Sequence, residues 1–113
     1  MDIALIYEDK DVLAFNKPSG LLVHPDGKSK KTAFSDWLPS AFSETRGVGG
    51  SVDLASGGTA ERNGIVHRLD KETSGLIIVA RNQQAFDFLQ KQFVERTVSK
   101  TYHAFVYGEM GEE

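Results

Sequence analysis

The chain has 113 residues, a net charge of −3 from 13 Lys and Arg against 16 Asp and Glu, and no cysteine. With 40% apolar and 26% charged residues it has the length and composition of one globular domain rather than of a disordered or fibrous chain. The missing cysteines exclude disulfide frameworks, thiolate zinc sites and Cys nucleophiles, and the acidic balance means that any nucleic-acid partner must be recognised locally.

Residues 3–7 and 12–16 are short apolar runs around the polar tetrad Glu8-Asp9-Lys10-Asp11, the pattern of a β-hairpin. Lys17-Pro18-Ser19-Gly20 punctuates the chain, because Pro cannot donate to a ladder and Gly admits positive φ, and 21–25 reads as another short extended segment. Ala33, Phe34, Trp37 and Leu38 recur at helical spacing, which predicts a short amphipathic helix stopped by Pro39. Residues 40–64 lose periodicity and are rich in Gly, so a flexible surface loop is expected there, either a functional lid or a disordered segment.

Residues 65–69 read as a strand, 70–75 as a polar turn, and 76–80 as a continuous apolar strand buried on both faces. Asn82 is placed to cap a helix whose apolar stripe is Ala85, Phe86, Leu89, Phe93 and Val94. Residues 100–107 carry Thr, Tyr, Phe and Val in the pattern of a final strand. The elements add up to an α+β domain with a mixed or mainly antiparallel sheet and two helices, one unit over 1–113. No apolar run reaches the roughly 20 residues of a membrane helix, and the N-terminus lacks a secretory signal pattern, so a cytoplasmic protein is expected.

Reactive side chains are densest between 64 and 75, in His67-Arg68-Leu69-Asp70-Lys71-Glu72-Thr73-Ser74-Gly75. A loop at a strand end holds side chains open to a substrate, and Arg68 beside Asp70 would keep that carboxylate ionised, with hydroxyl and backbone donors from Thr73 and Ser74 satisfying it. Asp70 is then a nucleophile or a base. Equally, an Asp in this position stabilises a tight turn and does nothing more. A hydrolase built on Asp70 and Glu72 would need its second acid across a cleft, which two residues of spacing in one turn do not supply. His24 and His103 lack partners at metal-ligand spacing, so no metal is expected.

His67-Arg68-Leu69-Asp70 followed by Thr73-Ser74-Gly75 resembles the central motif of the RluA-type pseudouridine synthases. The run from Asp11 to Pro25 is similar to that family's opening motif, and Lys100-Thr101-Tyr102-His103-Ala104 to its K-x-Y-x-A segment, in the family's order. The resemblance implies part of the pseudouridine synthase catalytic fold and a reaction that breaks the N1–C1′ bond of a uridine in ribosomal or transfer RNA, turns the uracil and rejoins it through C5, without cofactor or metal. It further implies Asp70 as the catalytic carboxylate, Arg68 against the gap left by the flipped base, Tyr102 stacked on the uracil, and His67 and Thr73 in binding or positioning roles. Residue 113 falls before the family's further strands and the basic motif whose arginine pairs with the aspartate, so a partial catalytic domain is expected, inactive or feeble alone. The alternative is a non-catalytic RNA-binding fragment or degenerate homologue. Which RNA is bound and how many copies assemble are not encoded in these motifs.

Overall fold

A computed structural model describes residues 3–26, 31–54 and 57–94. Three strands, β1 (Ala4–Glu8), β2 (Val12–Lys17) and β5 (Gly75–Ala80), form an antiparallel sheet in the order β1-β2-β5. A separate hairpin joins β3 (Ser51–Asp53) to β4 (Thr59–Glu61), and the helices are α1 (Phe34–Ala41) and α2 (Gln83–Val94). Among the described residues the architecture is α+β with antiparallel sheets and two α-helices, as the sequence pattern predicts.

The expected β1–β2 hairpin is present, with an irregularity in register between Leu5 and Tyr7. Its turn is closed by Asp9, whose Oδ1 accepts from the N–H groups of Asp11 (2.8 Å) and Val12 (2.7 Å) while Oδ2 accepts from the Tyr7 hydroxyl. These donors favour the ionised form, the Tyr7 bond most, and hold the Asp9 carboxyl below its ordinary value.

Alternation along β2 puts Leu13, Phe15 and Lys17 on one face, opposite Val79, Ile77 and Gly75 of β5. Leu13, Phe15, Ile77 and Val79 pack against Val23, Phe34, Leu38, Ile65 and Leu69 to make the main core. Phe15 is its hub, edge-on to Phe34, Trp37 and Phe42 with centroids 5.2–5.9 Å apart. A second cluster of Val48, Val66, Ala80 and Phe86 lies under α2, with Ala85, Leu89 and Phe93 packed on it. Asn82 caps that helix as expected, its Oδ1 accepting from the Ala85 N–H at 2.8 Å.

Four expectations are corrected. Residues 21–25 form no strand, because the carbonyls of Leu22 and Val23 accept from Phe34 and Ser35 at the start of α1 (2.8 and 2.9 Å) instead of entering a ladder. Pro39 does not stop α1 but lies inside it. A proline there leaves the carbonyl of Ser35 without its helical donor, and the buried side chain of Asn63 takes that place, Nδ2 donating to Ser35 O at 2.9 Å. The segment 65–69 makes one isolated bridge, Ile65 to Val79, rather than a strand. Within β5 the burial alternates at its start, Leu76 exposed and Ile77 buried, so the strand is not covered on both faces throughout.

The Gly-rich stretch 40–64 also has more organisation than its composition suggests. It holds a 3-10 turn (Ser43–Thr45) and the β3–β4 hairpin. Asn63, in the left-handed region at φ 51°, links its Gly47 N–H (2.9 Å) to α1. The final strand expected at 100–107 lies outside the described residues.

Candidate active site

The sheet places residues 68–73 beside the end of β2. Lys17, the third inward residue of β2, is fully buried where the alternation would otherwise bury an apolar side chain. Its Nζ donates to three carbonyls, those of Pro18 (2.9 Å), Lys71 (3.0 Å) and Thr73 (2.7 Å). The next residues add to this: Ser19 Oγ donates to Glu72 O at 2.8 Å and the Gly20 N–H to Lys71 O at 2.7 Å. The turn after Asp70 is closed by the Thr73 N–H on Asp70 O at 3.0 Å. Its backbone is thus held from beneath by an ammonium. Burial draws the Lys17 ammonium below its ordinary pKa, against the opposing pull of the Glu72 and Asp70 carboxylates.

Asp70 itself is exposed, and among the described residues its carboxylate has no side-chain hydrogen bond or ion pair. The sequence predicts Arg68 beside Asp70 keeping it ionised, and hydroxyl and backbone donors of Thr73, Ser74 and Gly75 satisfying the carboxylate and the turn; among the described residues the backbone donor on the turn is present, the hydroxyl contacts to the carboxylate are not. The Thr73 contact is through backbone, and Arg68 shares a cavity with Asp70 without forming an ion pair. That cavity, about 150 Å³, is walled by Leu22–Asp26, by Arg68–Lys71, and by Val52, Asp53 and Leu54 of the hairpin. A larger groove of about 520 Å³ between the β1–β2 turn and α2 is lined by none of the candidate site residues Arg68, Asp70, His67 or Thr73.

His67 faces away from the cavity. Its ring stacks on Phe93 of α2 at 4.7 Å, and Nε2 accepts from the Ile78 N–H at 3.0 Å, so it joins β5 to α2. Tyr102 lies outside the described residues. Two residues the sequence reading left unassigned now matter. Lys17 was legible only as punctuation before Pro18, although β2 alternation would have placed it inward. His24 lines the cavity with its Nδ1 buried and without a hydrogen-bond partner. Burial first, then the charges of Arg62 and Arg68, pull its pKa down to about 4 against the weaker pull of Asp36, so the ring is neutral.

Among the described residues no three His, Asp or Glu side chains are grouped to hold a metal ion, and no helix is long and apolar enough to cross a membrane.

An exposed carboxylate and an exposed guanidinium at one small cavity, carried on this α+β frame, accompany a clear family relationship. The sequence model described as RNA pseudouridylate synthase matches residues 11–113, and the chain belongs to that family. It is 40% identical over 108 residues to an uncharacterized RNA pseudouridine synthase of Bacillus subtilis, covering 96% of this chain and 33% of that protein. Against ribosomal large subunit pseudouridine synthase D of Buchnera aphidicola the identity is 36% over 106 residues, 94% of this chain and 30% of that one. Human RNA pseudouridylate synthase domain containing 4 shares the fold with a TM-score of 0.58 and 26% identity, over 83% of this chain and 30% of that structure. The chain therefore spans about a third of the length of the relatives it matches.

Proposed function

We propose that this chain carries the catalytic carboxylate of an RNA pseudouridine synthase, and that the protein to which it corresponds isomerises uridine in ribosomal or transfer RNA in the cytoplasm. The observation that supports this best is the placing of Asp70: exposed at the mouth of a cavity, without a side-chain hydrogen bond or ion pair among the described residues, on a turn pinned by the buried Lys17 ammonium. A turn whose Asp served only to stabilise it would bond its own carboxylate to the backbone, as Asp9 does. Asp70 does not.

In this reading the target uridine leaves its stack, its base enters the cavity, and the Asp70 carboxylate acts on the ribose next to the electron-poor C1′ as the glycosidic bond breaks. The freed uracil turns within the cavity walls and rejoins through C5, which gives up its proton to solvent while N1, released from C1′, takes one up, so that product and substrate are isomers. Arg68, exposed beside the same cavity, braces the RNA where the base has left, and Tyr102 stacks on the uracil. Thr73 serves through its backbone, closing the Asp70 turn.

The test is pseudouridine formation on RNA from a host lacking these synthases, comparing this chain, its Asp70→Ala variant, and the chain extended to the length of its relatives. Turnover by the extended form, lost on Asp70→Ala, is the expected result, with the 113-residue chain inactive or feeble. Turnover that survives Asp70→Ala would sink the assignment, and RNA binding without turnover in any form would favour a binding module.

A further inference from the structure

Among the groups around the Asp70 cavity whose chemistry the reaction scheme leaves unused is His24, set apart by its buried ring nitrogen. Its Nδ1 is buried and has no hydrogen-bond partner among the described residues, an arrangement that costs stability. Two features decide how the ring is protonated. Burial together with Arg62 and Arg68 keeps it neutral near pH 7, so it carries one proton. A proton on Nδ1 would be an orphaned donor in packed surroundings close to two guanidinium charges, whereas a lone pair there is tolerated at lower cost. The proton therefore belongs on Nε2, and His24 offers one uncharged N–H donor.

The cavity's other walls narrow what that donor meets. Val23, Val52 and Leu54 are apolar and suit the face of a flat ring, and about 150 Å³ has room for one base rather than a nucleotide chain. A phosphate would be drawn to the charged Arg62 and Arg68 in preference to a neutral imidazole. An uncharged carbonyl on the edge of a heterocycle is the natural partner of a neutral N–H. Resting on the pseudouridine synthase reading, we infer that His24 is a specificity-determining residue whose Nε2–H donates to a carbonyl oxygen of the uracil held in the Asp70 cavity.

The chain extended to the length of its relatives, labelled for NMR, is titrated with a short RNA hairpin carrying one loop uridine and with the same hairpin made abasic at that position. The expected result is that the uridine hairpin moves the His24 Nε2 resonance and the Asp70 carboxyl resonance, while the abasic one leaves His24 unmoved. His24→Leu then weakens binding of the uridine hairpin roughly tenfold, the worth of one hydrogen bond in a desolvated site, and leaves binding of the abasic hairpin unchanged. His24→Gln, whose side-chain amide reaches close to the position of Nε2, recovers most of that loss and guards against a variant that merely fails to fold. Movement of Asp70 with His24 unmoved overturns the role of His24 and leaves Asp70 in place. No movement at either residue removes both the inference and the reading on which it rests.

Discussion

Two of the walls of the Asp70 cavity are unlike. One, residues 68–73, is tied to β2 and its continuation by four hydrogen bonds: Lys17 Nζ to Lys71 O and Thr73 O, the Gly20 N–H to Lys71 O, and Ser19 Oγ to Glu72 O. The other, the β3–β4 hairpin, bonds to itself through the Ser51–Glu61, Val52–Ala60 and Asp53–Thr59 pairs and through Leu54 and Gly58. Among the described residues, hydrogen bonds to the rest of the fold leave from its base, where the Gly49 N–H meets Gln83 Oε1 at 2.9 Å and Asn63 receives Gly47. A reacting carboxylate must be held within a fraction of an ångström, whereas a wall that only shapes the cavity can open at small cost. The positions of the bonds follow that division.

The largest break in the comparison is expected from Lys17→Met. It strips the donor from three carbonyls at 2.7–3.0 Å, with a loss of about 3 kcal/mol in urea unfolding, some of it offset by removal of the buried charge. Lys17→Arg should not restore the loss, since no space is left around a fully buried side chain for a planar guanidinium. Faster amide exchange at Gly20 and Thr73 than at Val52 would place the damage on the pinned wall.

Gly64→Ala comes next. Gly64 sits at φ +85°, and an added Cβ would run into the carbonyl of Ala80, the residue whose N–H donates to Gly64 O at 2.7 Å. About 2 kcal/mol of destabilisation is expected from left-handed strain and the displaced contact together, read by thermal melting.

A pH effect of intermediate size is expected from His24. Its folded pKa of about 4 lies below the ordinary 6.5, so between those values the unfolded chain binds a proton that the native one refuses. Stability is then fully present above pH 6.5 and declines as the pH falls toward 4. Urea midpoints at pH 7 and pH 4.5 should differ less for His24→Leu than for the parent chain, and an equal difference in both would mean that the ring is not held neutral.

The smallest effect belongs to the other wall. Val52→Ala is expected to change global stability by less than about 0.5 kcal/mol, as for a half-exposed position on a short hairpin. Its consequence should be seen in binding of the uridine hairpin RNA, and a large loss of stability would contradict the division between the walls.

Much of this was legible in the residues. The β1–β2 hairpin follows from apolar runs around a turn whose Asp9 has a local bonding role, and α2 from its capping Asn82 and apolar stripe. These depend on contacts between near neighbours in sequence. The same locality explains why Pro39 misled: the group that makes a proline acceptable inside α1 is the Asn63 amide, 28 residues away from the Ser35 carbonyl it satisfies.

At the candidate site the sequence alone determined the reactive types and the family resemblance, placing Arg68 at the end of an expected strand beside Asp70 at the start of a turn. Only the tertiary structure decided which of the neighbouring residues share their cavity. His67, three residues before Asp70, is turned away to stack on Phe93, while His24, remote in sequence, is brought in. Lys17 shows the reason most plainly. A lysine after an apolar strand reads as solvent-facing because ammonium burial is costly, and that cost is met only when folding assembles three carbonyls around it, two of them from residues 71 and 73.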